Sequence, residues 1–165
     1  MLKKIQVFLV AMAMAGTGTG STMKWEEMKW TVAQGKTGQY PYILRIRHLP
    51  SAFPRQRYPQ RLNIFWSVAE ADERGYPTAS ESQRLQGFED RLIAAVESDR
   101  SAILVVVMTG RREREFVFHT ADPDEFVRRL TKMPQEQAAY PVEIHRNDDA
   151  QWRYYDGELG RLSGS

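Results

Sequence analysis

The chain has 165 residues, 42% hydrophobic and 27% charged, which is the composition of one globular domain with a real core. It carries 23 Lys and Arg, 21 Asp and Glu, 3 His and no cysteine; that excludes disulfides, thiol catalysis, thiolate zinc sites and lipid attachment through an N-terminal cysteine. The net charge of +2 equals the contribution of Lys3 and Lys4, so a chain without its leader is balanced; a neutral domain is a poor general binder of nucleic acid, whose phosphates demand accumulated positive charge.

The leader "MLKKIQVFLVAMAMAGTGTGS" sets Lys3 and Lys4 before an apolar run from Ile5 to Ala15. With Ala13-Met14-Ala15 ahead of Gly16, this is the pattern of a cleaved secretory signal. The run is shorter than the ~20 residues of a membrane span. Residues 1–22 are therefore expected to be a signal peptide and linker, with a periplasmic or secreted product. Translation from Met23 gives a cytoplasmic protein instead, and an uncleaved anchor is a third reading.

Next, "KWTVAQGKTGQYPYILRIRH" predicts two strands around a glycine turn. Tyr40, Tyr42, Leu44, Ile46 and His48 share one face, Arg45 and Arg47 the other. A loop rich in Pro and Arg covers Leu49 to Gln60. "RLNIFWSVA" alternates Leu62, Ile64, Trp66 and Val68 inward, as a strand does. Ser80 with Gln83 forms a capping-box pattern, and Leu85, Phe88, Leu92 and Val96 follow at helical spacing. "SAILVVVMTG" is a strand buried on both faces, and "GRREREFVFHT" its hairpin partner. Asp122-Pro123-Asp124-Glu125 opens a second helix with a cap, a first-turn proline and acids. Phe126, Val127 and Leu130 line its buried side, and Pro134 ends it. "YPVEIHR" is the last strand, with Tyr140, Val142 and Ile144 alternating.

From Leu62 onward the order is strand, helix, strand, strand, helix, strand. This predicts the α+β class, with the ferredoxin-like split βαβ arrangement and an added N-terminal β-hairpin. Two helices cover one face of an antiparallel sheet. The expected units are a single domain at 24–158 and a flexible tail at 159–165.

Four stretches bear a resemblance: "WTVAQGK", "RGYPTASESQRLQGFEDRL", "TGRREREFVFHT" and the closing Asp149-x-x-Trp152-x-x-Tyr155. Together, between Trp25 and Tyr155, they resemble the bacterial family known as domain of unknown function 695. His119 stands where the family pattern has tyrosine, so nothing is carried over there. The family is in turn distantly similar to the inhibitor B of ribonuclease E, whose ferredoxin-like fold acts by binding the nuclease. The resemblance implies a protein-binding regulator and transfers no site residues. Export would rule out that cytoplasmic target.

The chemistry in the sequence is sparse. His48, His119 and His145 show no metal-ligand spacing, and His119 and His145 are expected at opposite ends of the sheet. There is no G-x-S-x-G and no phosphate loop, since "GKTG" at Gly35 lies in a hairpin. Asp72/Glu73 and Asp148/Asp149 read as solvated turns. Asp149 can cap the turn after the last strand, and Trp152 and Tyr155 then share one side and close the open end of the core; the alternative is an aromatic platform for a ligand. Arg55, Arg57 and Arg61, interleaved with Phe53 and Tyr58, form one basic feature. Arg111, Arg112 and Arg114, alternating with Glu113 and Glu115, form another that suits cross-strand pairing or edge protection.

These features point to a non-enzymatic interaction module for a protein partner or the cell envelope. Its candidate binding residues are Arg55, Arg57, Tyr58, Arg61, Trp152 and Tyr155. No catalytic residue, cofactor or metal is expected. The rivals are a hydrolase using carboxylates or His119, and a cytoplasmic regulator of RNA metabolism.

Overall fold

The computed structural model describes residues 6–8, 24–136 and 138–163. Its centre is an antiparallel sheet of seven strands: β1 (Gln6–Phe8), β2 (Trp30–Thr37), β3 (Tyr40–Arg47), β4 (Gln60–Ser67), β5 (Ala102–Gly110), β6 (Glu113–Thr120) and β7 (Val142–Asp148). They lie side by side in the order β1-β2-β3-β5-β6-β4-β7. Helix α1 (Ala79–Val96) joins β4 to β5 across the intervening β6, and α2 (Pro123–Lys132) joins β6 to β7 across β4. A third helix, α3 (Arg153–Ser163), follows β7. The α+β class expected from the sequence is thus what the structure shows. The N-terminal hairpin docks through β3 onto β5, with Leu44 opposite Met108 and Ile46 opposite Val106.

The sheet is buried on both faces. On one, Leu62, Ile64, Trp66, Phe116 and Phe118 pack against Leu85, Phe88 and Leu92 of α1 and Phe126 and Leu130 of α2. On the other, Leu44, Ile46, Ile103, Val106 and Val117 meet Trp25, Phe53, Tyr58, Trp152 and Tyr155. β5 serves both cores, which is why its apolar run is unbroken. A bulge between Leu104 and Val106 sends Leu104 and Val107 to the α1 side while Val105 and Val106 join the second core.

Helix ends follow local chemistry. Asp122 accepts from the amides of Asp124 and Glu125, with Pro123 in the first turn, as its sequence predicts. For α1 the cap is Thr78, two residues before the expected Ser80, and its hydroxyl accepts from the Glu81 amide at 3.3 Å. The Glu81 carboxylate turns instead to the Trp66 indole (3.1 Å) and the Ala69 amide (3.2 Å), tying α1 to the end of β4. Residues 159–163, expected as a flexible tail, continue α3, because Leu159 and Leu162 pack on the second core.

Of the leader, Gln6–Phe8 pairs with β2, Val7 opposite Ala33. The expected cleavage segment at 13–15 lies outside the described residues. Among the described residues no helix is long and apolar enough to cross a membrane.

Candidate functional site

The closing Asp149-x-x-Trp152-x-x-Tyr155 builds a seam between the sheet and α3. The Asp149 carboxylate caps α3, accepting from the Arg153 amide at 2.8 Å and the Tyr154 amide at 3.3 Å, and Arg61 donates to it at 3.3 Å. Trp152 holds φ +57°, a left-handed backbone that non-glycine residues seldom take. That bend turns its indole inward, where Nε1 donates to the Arg55 carbonyl at 3.0 Å and the ring stacks on His119. The Tyr155 hydroxyl donates to the Arg47 carbonyl at 2.8 Å and accepts from the Leu49 amide at 3.3 Å.

His119 is fully enclosed. Its Nδ1 lies 3.1 Å from the Tyr58 carbonyl and can only donate there, so Nε2 of the neutral ring carries no proton. Nε2 has no hydrogen-bond partner and lies 3.7 Å from an Asp149 oxygen. Burial drives its pKa down to about 4, so the ring is neutral at pH 7. Further along the seam, Arg61 donates to Asn63, Asn63 to Glu115, and the Tyr154 hydroxyl to Glu115. Burial, with the Glu115 charge beside it, lifts the Tyr154 hydroxyl well above the ordinary tyrosine value.

This geometry relocates most of the residues singled out from the sequence. Tyr58, Trp152 and Tyr155 are 2%, 1% and 1% exposed, so their rings fill the second core and offer no platform to solvent. Arg55 lies over the rings of Trp152 and Tyr155 and pairs with Asp156 at 2.8 Å. Arg61 lies over the Tyr154 ring and pairs with Asp149. Arg57 stays exposed on a single helical turn, Arg55–Arg57. His119 and His145 are not at opposite ends: β6 and β7 both run antiparallel to β4, where the two histidines face Arg61 and Asn63. The α2 crossover carries the chain from the Gln60 end of β4 back to the end where β6 began, so β7 starts opposite Trp66 and runs parallel to β6. Each histidine keeps its own partners, since His145 contacts Glu143 and the Phe65 ring.

The opposite end of the sheet carries a different arrangement. The turn between β5 and β6 is Arg111-Arg112, with φ of +56° and +61°. Tight hairpins put Asn-Gly there because side chains resist this conformation, at about 1–2 kcal/mol per residue. A strap from Val68 to Tyr76 holds it: the Arg112 amide donates to the Gly75 carbonyl at 2.9 Å, and the Val68 amide to the Arg112 carbonyl at 2.9 Å. Gly75, at φ +83°, passes so close that a Cβ would stand 3.2 Å from the Arg112 nitrogen. Beside the turn is Tyr40, at 45% the most exposed large hydrophobic among the described residues, with the Arg111 guanidinium 5.0 Å above its ring. Arg74 lies over Tyr76. The groove between them measures about 410 Å³ and is lined by Tyr40, Asp72, Glu73, Arg74, Gly75 and the two turn arginines.

The Asp72 carboxylate is spent on the amides of Arg74 and Tyr76. Among the described residues neither Arg74 nor Arg111 is ion-paired, whereas Arg45, Arg47, Arg55 and Arg61 each hold a carboxylate. The sequence marked Arg111, Arg112 and Arg114 as a basic feature suited to cross-strand pairing or edge protection; it did not bring Tyr40, Arg74 or Gly75 to it.

Fold and site together define an α+β domain with helices on both faces of one antiparallel sheet and two unpaired guanidinium groups beside an exposed tyrosine. Residues 28–159 match the family of unknown function DUF695, and the chain belongs to that family. Neither a curated protein nor a solved structure matches the chain, so the distant likeness to the ribonuclease E inhibitor stays a proposal.

Proposed function

We propose that the protein is a non-catalytic binding module that docks an acidic segment of a partner protein on the Tyr40–Arg111 end of its sheet. The observation that carries this reading is the Arg111-Arg112 turn, strained yet held by the Gly75 strap. Strain that a fold maintains at a surface turn marks a place where the side chains have a task. The groove offers guanidinium groups for carboxylates and an exposed ring for an apolar neighbour, the residue types that anchor protein interfaces. Partner capture by the wild type and by an Arg111→Asn, Arg112→Gly variant tests it. The variant keeps the fold and loses the partner. Equal capture by both sinks the reading.

The leader supports export, so the partner is sought first in the cell envelope. Intact mass of the protein from its host, with the compartment recorded, decides this. A form beginning near Gly16 outside the cytoplasm fits export. A cytoplasmic form retaining Met1 or beginning at Met23 removes it and directs the search to cytoplasmic nucleases.

A further inference from the structure

We infer that the free edge of β7 pairs with β7 of a second copy of this chain, joining two sheets into one. Among the described residues β7 is the outer strand on that side and bonds to β4 alone. The Ser67 amide donates to the Pro141 carbonyl and the Asp149 amide to the Pro59 carbonyl. Antiparallel ladders alternate, so 143, 145 and 147 turn their backbone groups toward β4, and Ile144, Arg146 and Asp148 turn theirs outward.

Natural edges are commonly protected by charged side chains, lysine above all, by proline or by a bulge. Val142–Asp148 contains neither lysine nor proline, and its pairing with β4 is regular throughout. Its side chains carry both signs: Glu143 and Asp148 against Arg146, with His145 between. An antiparallel copy can bond only where outward-facing residues meet. Centring the pair on Ile144 places Ile144 against the partner's Ile144, Glu143 against the partner's His145, and Val142 against the partner's Arg146. No like charges face each other in that register. Glu143 and His145 are both exposed and already in contact within one chain, so two copies bring the two pairs together. Self-complementarity of this kind is what a two-fold interface requires, and it makes a second copy the occupant. The surface is separate from the basic end of the sheet, and the inference does not depend on the binding reading above.

Sedimentation equilibrium of the purified full chain gives the first readout, a concentration-dependent dimer. Glu143→Lys alone, which removes the carboxylate opposite the partner's imidazole, and His145→Glu alone, which sets two carboxylates face to face, each weaken dimerisation by about tenfold. Mixing the two variants restores it, since the lysine introduced in one chain then faces the glutamate introduced in the other. The chain has no cysteine, so single Glu143→Cys and His145→Cys chains can be mixed and oxidised on a clean background. These positions face each other as a non-hydrogen-bonded pair, about 4.5 Å between Cα atoms, and the mixed disulfide forms ahead of either homodisulfide. A monomer at every soluble concentration, or a dimer indifferent to both charge variants and their mixture, overturns the inference.

Discussion

The indole of Trp152 lies flat on the imidazole of His119, with 3.7 Å between ring centroids and 12° between planes. The stack seals the histidine in its neutral form, with burial setting its pKa near 4 against an ordinary 6.5. The unfolded chain therefore takes up a proton between pH 6.5 and about 4 that the folded chain refuses. Stability contributed in this way is complete above pH 6.5 and falls as pH drops through that window, by roughly 3 kcal/mol. Urea midpoints from pH 7 to pH 4 measure the fall. His119→Gln removes this component of the slope. Glu97, whose carboxyl burial raises, acts in the opposite sense, so the difference between the two proteins is the quantity to read. Parallel slopes would contradict the assignment.

Trp152→Ala is expected to cost about 3–5 kcal/mol, the usual loss for a large aromatic taken from a core. Arg57→Ala, on the exposed turn, is expected to stay within about 0.5 kcal/mol. Chemical denaturation of both variants checks the pair. A Trp152→Ala protein of unchanged stability would restore the platform reading.

Arg47 and Glu97 form an ion pair at 2.8 Å with both side chains buried. Glu97 also accepts from the Leu104 amide, and Arg47 donates to the Trp25 carbonyl. Removing either partner strands a charge inside the protein, so Arg47→Met and Glu97→Leu are each expected to cost about 3–5 kcal/mol. The double variant costs less than the two singles combined, by roughly 1–3 kcal/mol in a double-mutant cycle. Strict additivity would mean that the pair is not coupled.

Arg111→Asn with Arg112→Gly replaces a strained turn by the sequence such turns favour. It is expected to stabilise the protein by about 1 kcal/mol. A gain in thermal midpoint together with a loss of partner identifies strain kept for binding. A loss of stability would show that the Arg112 bond to the Ala69 carbonyl, at 2.9 Å, outweighs the strain.

Much of this architecture was legible in the sequence, for reasons that differ from element to element. The Asp122-Pro123 helix start and the alternation of Leu62, Ile64 and Trp66 depend on neighbours in the chain, and both hold in the structure. The α1 cap is Thr78, not the Ser80 expected with Gln83, because the residue three on from Thr78, Glu81, gives its amide to the Thr78 hydroxyl while its carboxylate ties the helix to Trp66 on another element. The second core was hidden because no single segment declares it: Trp25, Phe53, Trp152 and Tyr155 come from three separated stretches. A basic loop with interleaved aromatics looks the same in sequence whether its rings face water or, as with Phe53 and Tyr58, the interior. The turn arginines were visible as a basic feature, but the groove was not, because Tyr40 and Arg74 join Arg111 only once β3 has docked on β5.

The most direct test places a photo-cross-linking amino acid at position 40, and in a second protein at position 57, and irradiates each in the native host. The account predicts a discrete adduct from position 40 that disappears when Arg111 and Arg112 are replaced, and none from position 57. An adduct from position 57 that survives that replacement, with position 40 silent, would contradict it and return the binding surface to the Leu49–Arg61 loop.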